Sequence, residues 1–198
     1  FYDPEERSFP VGHAQVIDMN SHCHTLLLCL RQVRAWSEKN PRHTPIWISF
    51  NLKDQVITGL PDPEPFTPGA LDLLDEQLRG ALANRIIQPA DVQGLDWPTL
   101  EQARGKLLLI LDEGGSKRDW YYDNWQNRPM FTNAPEGHPA AGVMIINDPI
   151  EDFARIQRLV RAGYLVRTRA DANTFEARVN DTRRREQAFA SGAQAIST

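Results

Sequence analysis

The segment Tyr164-Leu-Val-Arg-Thr-Arg-Ala-Asp171 decides the fold, because an apolar strand becomes charged at its C-terminal end. In α/β proteins that end of a strand is where ligand-binding side chains collect. The apolar runs Ile46-Trp-Ile-Ser-Phe50, Leu107-Leu-Leu-Ile-Leu111 and Val143-Met-Ile-Ile146 also lead into polar residues. Such near-continuous apolar runs are typical of strands that are covered on both faces, as in a parallel sheet.

Helices are predicted between the strands. Thr67-Pro68 is an N-cap followed by proline at the first helical position, and Gly163 fits the left-handed residue that ends a helix. Asp148-Pro149-Ile-Glu151 predicts another helix start, with Asp148 as the N-cap. Six strands are predicted, at 12–17, 45–52, 106–112, 142–147, 164–169 and 193–198.

This alternation of strands and helices implies a parallel sheet with right-handed crossovers. A doubly wound sheet and a (β/α)₈ barrel both fit the order, and no glycine-rich phosphate loop follows any strand. We expect one domain that spans residues 1–198. A complete barrel has eight strands, so in a barrel about two strands would precede the first residue.

The composition excludes several classes of protein. A chain of 198 residues with 41% hydrophobic and 24% charged residues is typical of a globular domain. The net charge of −4 argues against a general nucleic-acid binder, and the Arg183-Arg-Arg185 run is interpreted as a solvated helix face. No apolar run approaches the ~20 residues of a membrane span. No signal peptide is present either, and we expect that an upstream segment is missing or removed.

Cys23 and Cys29 are the only cysteines. Two cysteines six residues apart in one regular helix are too far apart to bridge. With Thr25 as the N-cap, however, the preceding chain can fold back over the first turn. A disulfide and a pair of buried thiols therefore both remain open, and a disulfide would favour an exported protein.

Polar side chains at the predicted strand ends form a set that suits a phosphorylated substrate. In a parallel sheet these ends converge at one edge. Arginine forks bind phosphate bidentately, lysine adds a point charge, and histidine acts as an acid or a base near neutral pH. A lone histidine is more often structural, and Arg167 could simply pair with Asp171. The members of the set are His13, Asn51, Lys53, Asp112, Arg167 and Arg169.

Several segments are long enough to point to a family. They are Gly12-His-Ala-Gln-Val-Ile-Asp18, Pro45-Ile-Trp-Ile-Ser-Phe-Asn-Leu-Lys-Asp54, Trp97-Pro-Thr-Leu-Glu-Gln-Ala-Arg-Gly-Lys-Leu-Leu-Leu-Ile-Leu-Asp112 and, most specifically, Gly163-Tyr-Leu-Val-Arg-Thr-Arg-Ala-Asp-Ala-Asn-Thr-Phe-Glu-Ala-Arg-Val-Asn-Asp181. Together they resemble the bacterial calcium-dependent phosphoinositide phospholipase C family, over nearly the whole chain.

The resemblance implies a TIM-like phosphodiesterase barrel, with about six of its eight strands in this chain. It implies cleavage of phosphatidylinositol-type lipids at a membrane surface by attack of the inositol 2-hydroxyl on phosphorus. Diacylglycerol would leave and an inositol cyclic phosphate would form. Two histidines would act as base and acid, and Ca²⁺ would stabilise charge on the phosphoryl group. The protein would be secreted or periplasmic.

Residue roles follow from the same resemblance. His13 is implied as the second catalytic histidine, whereas the first and its acidic strand motif are expected upstream of this chain. Asn51 stands where relatives place a calcium-binding glutamate, and a neutral amide oxygen is a weaker ligand than a carboxylate. The implied substrate-binding residues are Lys53, Asp112, Arg167 and Arg169.

Two other functions remain open. Glycerophosphodiester phosphodiesterases typically use a Glu-x-Lys strand end, and Asn51-Leu52-Lys53 keeps the lysine without the acid. A non-catalytic lipid-binding module could instead insert the aromatic residues of a long irregular stretch predicted at 113–138, because tryptophan and tyrosine favour the membrane interface. A loop packed on its own aromatics is the favoured interpretation of that stretch. Its aromatics are Trp120, Tyr121, Tyr122 and Trp125, and a second irregular stretch is predicted at 54–66.

Overall fold

All pairs of neighbouring strands are parallel in the computed structural model, which describes residues 1–198. Strands and helices alternate along most of the chain. In order they are α1 (Leu26–Lys39), β1 (Ile46–Phe50), α2 (Pro68–Leu82), β2 (Ile86–Ile87), α3 (Leu100–Ala103), β3 (Leu107–Leu111), α4 (Gly115–Tyr122), β4 (Phe131–Thr132), β5 (Val143–Ile145), α5 (Phe153–Arg161), β6 (Leu165–Arg169), α6 (Phe175–Val179), α7 (Arg183–Ala190) and β7 (Ala195–Ser197).

β3 is the central strand of the first sheet. β1 pairs with it along its whole length, with Ile46 opposite Leu107 and Phe50 opposite Leu111. On its other edge β2 pairs with the first two residues of β3, and β4 pairs with the last two. All five β3 side chains are buried, which explains why this run is apolar throughout.

The second sheet has the order β5-β6-β7. It continues the first sheet, because Asn133 Oδ1, just after β4, accepts a hydrogen bond of 3.1 Å from the Ile145 N–H of β5. Gly142 allows this approach, since a Cβ atom there would lie 2.9 Å from the Phe131 ring. The sheets form an open parallel wall, and we find no closed barrel.

The two faces of this wall have different coverings. Leu109 packs with the apolar sides of α1 and α2, and α5 covers the corresponding face of the second sheet through Ile156. Leu108 and Ile110 point to the opposite face, where they pack with Val143. We call this opposite face the inner face. Strand side chains alternate between the two faces with a period of two. This alternation therefore also decides which polar residues at the strand ends lie on the inner face.

Most of the predicted helix ends are confirmed. The Thr67 side chain caps α2 by accepting a hydrogen bond of 3.2 Å from the Ala70 N–H, and Gly163 follows α5 with a φ of +96°. Asp148 accepts hydrogen bonds from the N–H groups of Ile150 and Glu151, at 2.9 and 3.1 Å. The helix itself starts later, at Phe153, because Asp148 caps a separate turn that precedes it.

The predicted strand at 12–17 is wrong. Ala14 and Asp18 exchange two backbone hydrogen bonds of 3.0 and 2.9 Å, so this segment closes on itself as a tight turn. Its alternating apolar residues resemble a strand, but a strand also requires a partner, which the sequence pattern does not reveal. The other five predicted strands are confirmed, each with its bounds within three residues.

The stretch 113–138 was predicted to be irregular, and it contains α4 and β4. The fully buried residues Tyr121, Met130 and Phe131 hold it against the core. The stretch 54–66 has no helix or strand, as predicted. Cys23 and Cys29 form a disulfide, with their Cα atoms 5.2 Å apart, so the chain before α1 is tied to the first turn of that helix.

A buried polar network joins α2 to α4. The Tyr121 hydroxyl donates to Asp75 Oδ1 at 2.7 Å, and Arg128 donates to Asp75 Oδ2 at 3.0 Å. Burial raises the pKa of Asp75, although its hydrogen bonds from Tyr121 and Arg128 oppose this effect. Burial and then the negative charge of Asp75 raise the pKa of Tyr121 well above its usual value of 10.

Replacing Tyr121 by Phe should lower the free energy of unfolding by about 1–3 kcal/mol, because the buried Asp75 carboxylate loses a donor. Urea titration at neutral pH measures this change, with the half-buried Tyr122→Phe as the matched control.

Stability should also depend on pH through Tyr121. In the unfolded chain its phenol loses the proton near pH 10, whereas in the folded chain the phenol keeps it. Stability should therefore fall as the pH rises above about 10, and less steeply in Tyr121→Phe. Equal losses in the two variants would contradict the role of the network.

Candidate functional site

The polar residues that follow the strands meet at the C-terminal edge of the wall. The pairing of β1 with β3 continues past both strands, since the Asp112 N–H donates to the Phe50 carbonyl at 2.9 Å. Asn51 then donates from its amide nitrogen to the Asp112 carbonyl, also at 2.9 Å. Parallel pairing therefore places the end of β1 beside the end of β3.

Arg167 is the central cation of this edge. Its side chain is only 10% exposed, and Nη1 donates to Asn147 Oδ1 at 2.6 Å and lies 3.8 Å from Asp112 Oδ2. Burial lowers the pKa of Arg167, while attraction to Asp112 opposes that shift. The alternative pairing of Arg167 with Asp171 is wrong, because the structure pairs Arg167 with Asp112.

Arg169 lies two residues further along β6 and therefore shares the inner face with Arg167. It is half-buried, and its Nε–H has no hydrogen-bond partner. The inner face is apolar near the strand starts, at Leu108 and Val143, and cationic at this edge. The charge of Arg169 also lowers the pKa of Arg167, so the two guanidinium groups lie close enough to make this edge cationic.

His13 and Lys53 form a second group. His13 lies in the loop just before the 14–18 turn, with its side chain 81% exposed and Nδ1 3.0 Å from Asp18 Oδ2. His13 and Lys53 line one cavity of about 110 Å³. Lys53 also lines a mostly apolar cavity of about 260 Å³ together with Asn51. Asn51 thus contacts both groups, since it donates to the Asp112 carbonyl and lines a cavity with Lys53. No hydrogen bond or ion pair joins His13 to Arg167.

Lys117 is a residue that the sequence analysis missed. Its side chain is 16% exposed, and Nζ contacts Asp54 at 2.7 Å, Glu113 at 2.9 Å and the Leu52 carbonyl at 2.8 Å. Burial opposes the charge, but the two carboxylates override it and raise the pKa of Lys117. These contacts fix the chain on both sides of Lys53. The spacing of Glu113 and Lys117 by four residues is a signal that could have found this pair.

The interpretation of the Arg183–Arg185 run as a solvated helix face is wrong for Arg184, which is mostly buried. Its side chain is 11% exposed and donates to the Asn147 carbonyl at 2.8 Å and to Asp148 Oδ2 at 3.3 Å. Burial opposes ionisation of Asp148, but backbone N–H donors and Arg184 lower its pKa. Arg184 therefore holds the chain segment whose Asn147 side chain positions Arg167.

The donor set of this edge does not fit a calcium ion. Calcium takes about six to eight oxygen ligands, several of them carboxylates. Asn51 turns its amide nitrogen towards Asp112, and the Asp112 carboxylate faces Arg167. Asp54 and Glu113 are bound to Lys117. No cluster of three or more ligating His, Cys, Asp or Glu side chains occurs, so we assign no step to a metal.

The aromatic residues of 113–138 mostly pack inwards, as the favoured interpretation predicted. Tyr121 is fully buried, and Tyr122 and Trp125 pack against the core beneath α5. The Tyr122 ring lies 4.4 Å from the His138 ring. Trp120 is the most exposed of these four aromatic residues, with 39% exposure.

The chain is thus a parallel α/β protein with arginine side chains at the C-terminal edge of its strands. The family model for Ca²⁺-dependent phosphoinositide phospholipase C matches residues 4–198. The chain belongs to this family. A comparison with curated proteins gives no significant match.

Solved structures of a calcium-dependent phosphoinositol-specific phospholipase C from a Gram-negative Pseudomonas species have a similar fold. One apo crystal form superposes with a TM-score of 0.65 at 16% identity, covering 97% of this chain and 73% of the other. A myoinositol complex gives 0.60 at 16% identity, covering 88% and 66%. In the match with the myoinositol complex, the chain thus spans slightly less than two thirds of the other chain. None of the helices combines the length and apolarity that crossing a bilayer requires.

Replacing Arg184 by Gln should lower the free energy of unfolding by about 1–3 kcal/mol, because a charged donor to Asn147 and Asp148 is lost. The exposed neighbour gives the matched control, since Arg185→Gln should change the free energy of unfolding by less than about 0.5 kcal/mol.

This effect should depend on pH. The lowered pKa of Asp148 contributes stability at pH values above 3.8, the ordinary pKa of an aspartate. The difference between the variants should therefore shrink as the pH falls below 3.8 and passes through the lowered pKa of Asp148. Urea titrations across this range measure it, and equal stabilities at neutral pH would contradict the assignment.

Proposed function

We propose that the chain cleaves the phosphodiester of phosphatidylinositol-type lipids at a membrane surface, releasing diacylglycerol and forming an inositol cyclic phosphate. Membership of the phosphoinositide phospholipase C family supports this reaction class. The observation that carries the proposal is the buried Arg167 guanidinium at the C-terminal edge of the strands, beside Arg169.

The arginines of β6 are the phosphate-binding residues of the proposal. A guanidinium fork matches two phosphate oxygens, and low exposure strengthens the attraction because less water screens it. Asp112 and Asn147 position Arg167 through the contacts described above. Lys53 adds a point charge from the neighbouring cavity.

His13 is the proposed general acid. In the reaction the inositol 2-hydroxyl oxygen forms a bond to phosphorus and gives its proton to a base, for which this chain has no assigned residue. The bond from phosphorus to the glycerol oxygen breaks, and that oxygen takes a proton from His13. The contact of Asp18 with Nδ1 orients the ring and leaves Nε2 as the transferring nitrogen.

The surroundings of Lys53 give the glycerophosphodiester alternative no support. A Glu-x-Lys site requires a carboxylate beside the lysine, and Asp54, its neighbour in the chain, is bound to Lys117. The disulfide between Cys23 and Cys29 supports a second part of the proposal, that the protein is secreted or periplasmic, because disulfides persist in oxidising compartments.

Replacing Arg167 by Gln should lower turnover of phosphatidylinositol vesicles by about 10²–10³-fold, the usual effect of removing a charge-stabilising donor. The matched control is Arg161→Gln on the exposed part of α5. Phosphorus NMR of the cyclic phosphate, with calcium and with a chelator, measures turnover. If the unmodified chain yields no cyclic product in either condition, the proposed function of this chain is rejected.

Replacing His13 by Ala should lower turnover by about 10²–10⁴-fold, the usual contribution of general acid–base catalysis. The exposed His22→Ala serves as the control for loss of a nearby imidazole. The same NMR assay applies, and circular dichroism verifies that both variants fold. A loss below about threefold for His13→Ala would reject its role as the acid.

A further inference from the structure

The mostly apolar cavity beside β1 extends from the C-terminal strand edge into the main core. Its volume is about 260 Å³, and twelve of its seventeen lining residues are hydrophobic. Leu30 of α1 and Leu74 of α2 line it and are only 2% and 1% exposed. Ile48 and Phe50 of β1 line it as well. The reaction proposed above makes no use of this apolar space.

The walls of the cavity are held in place by contacts that do not depend on its contents. The segment 9–12 forms one wall, and the Leu26 N–H of α1 donates to the Phe9 carbonyl at 2.9 Å. Cys29 also lines the cavity and is fixed by its disulfide. Arg34 joins α1 to α2 by donating to the Ala81 carbonyl at 3.1 Å. The space is therefore preformed, and a preformed site loses little free energy to ordering when it binds a ligand.

The chemistry of the lining indicates which kind of molecule fits. Lys53 is the only charged side chain in the lining, and it is exposed, so it marks the end that opens to solvent. No carboxylate lines the cavity. Water finds few hydrogen-bond partners between aliphatic walls, and an apolar cavity of about 150 Å³ in another protein stays dry and takes up benzene. By the same ratio, this cavity has room for about ten carbon atoms.

We propose that this cavity binds a medium-chain fatty acid, with the aliphatic chain beside Leu30, Leu74 and Ile48 and the carboxylate on the Lys53 ammonium. The single cation matches the single charge of a carboxylate, whereas a phosphate monoester carries about two charges at neutral pH. The inference holds whether or not the chain cleaves phosphoinositides, because Lys53 is the only residue that the two sites have in common.

The first test is the dependence of binding on chain length. Isothermal titration calorimetry at neutral pH measures the affinity for octanoate, decanoate, dodecanoate and tetradecanoate, each kept below its micelle concentration. Affinity should rise about fourfold for each methylene group that the cavity buries, and it should level off near about ten carbons, when the cavity is full. A steady rise through tetradecanoate would indicate adsorption to the surface and would overturn the proposal, as would the absence of decanoate binding.

The second test locates the site with a cavity-filling variant. Val33 of α1 is half-buried and lines the cavity. Val33→Phe should weaken decanoate binding by at least about tenfold, because the ring displaces methylene groups of the ligand. The matched control is Val179→Phe, since Val179 is 57% exposed on α6 and does not line the cavity. It should change the affinity by less than about twofold. Circular dichroism verifies that both variants fold, and equal affinities of the two would contradict the location.

The third test concerns the head group and leaves the apolar walls unchanged. Lys53→Gln should weaken decanoate binding about threefold to fivefold, as expected for a partly exposed ion pair, and should leave the affinity for decan-1-ol unaltered. Lys39→Gln at the exposed end of α1 is the control. Undiminished decanoate binding by Lys53→Gln would overturn the pairing of carboxylate and lysine. Self-association that is lost in Val33→Phe, seen by analytical ultracentrifugation without decanoate binding, would assign the cavity to a second copy and overturn the proposal.

Discussion

The parallel pairing of β3 along both of its edges is the constraint on which the rest of the structure depends. Its five buried residues, from Leu107 to Leu111, hold β1 on one side and β2 and β4 on the other. Parallel strands run in the same direction, so their C-terminal ends lie at the same edge. This pairing alone brings Asn51 next to Asp112, and the contact from Asn133 to β5 carries the same edge to Arg167. The common direction of the strands therefore brings the site residues together, and the side-chain contacts then fix their positions.

A buried cation at that edge has to be compensated. Arg167 loses most of its hydration, which disfavours its charge, and Asp112 and Asn147 replace part of it. Asn147 is in turn held through its backbone by Arg184, and the far side of the edge is fixed by Lys117. These supporting residues never need to touch a substrate, but they keep the guanidinium in one place. A phosphate binds a preorganised fork more tightly than a mobile one, because less side-chain entropy is lost on binding.

Membership of a calcium-dependent family and the donor set of this chain point in different directions. The carboxylates nearest the edge are occupied by Arg167 and Lys117, and Asn51 uses its amide nitrogen rather than its oxygen. Protein cations thus hold the charges that a metal ion would otherwise neutralise. The neighbouring cavity of His13 and Lys53 has a different character, because Ile57 and Leu60 also line it and the His13 side chain is 81% exposed.

The amino-acid sequence by itself determined the parallel α/β class, five of the strands, the caps at Thr67 and Gly163 and the positions of Arg167 and Asp112 at strand ends. These features depend on local patterns, such as apolar runs and capping residues, which a short segment contains in full. Only the tertiary structure decided that 12–17 is a turn, that Tyr121 is buried and that Arg184 is a structural cation while Arg185 remains in solvent. The last two outcomes depend on partners distant in the chain, since Tyr121 depends on Asp75 and Arg184 on Asn147, and the first depends on the lack of a distant strand to pair with 12–17. A residue's own type and its near neighbours do not specify which distant group will replace its water, and that is why the tertiary structure had to decide them.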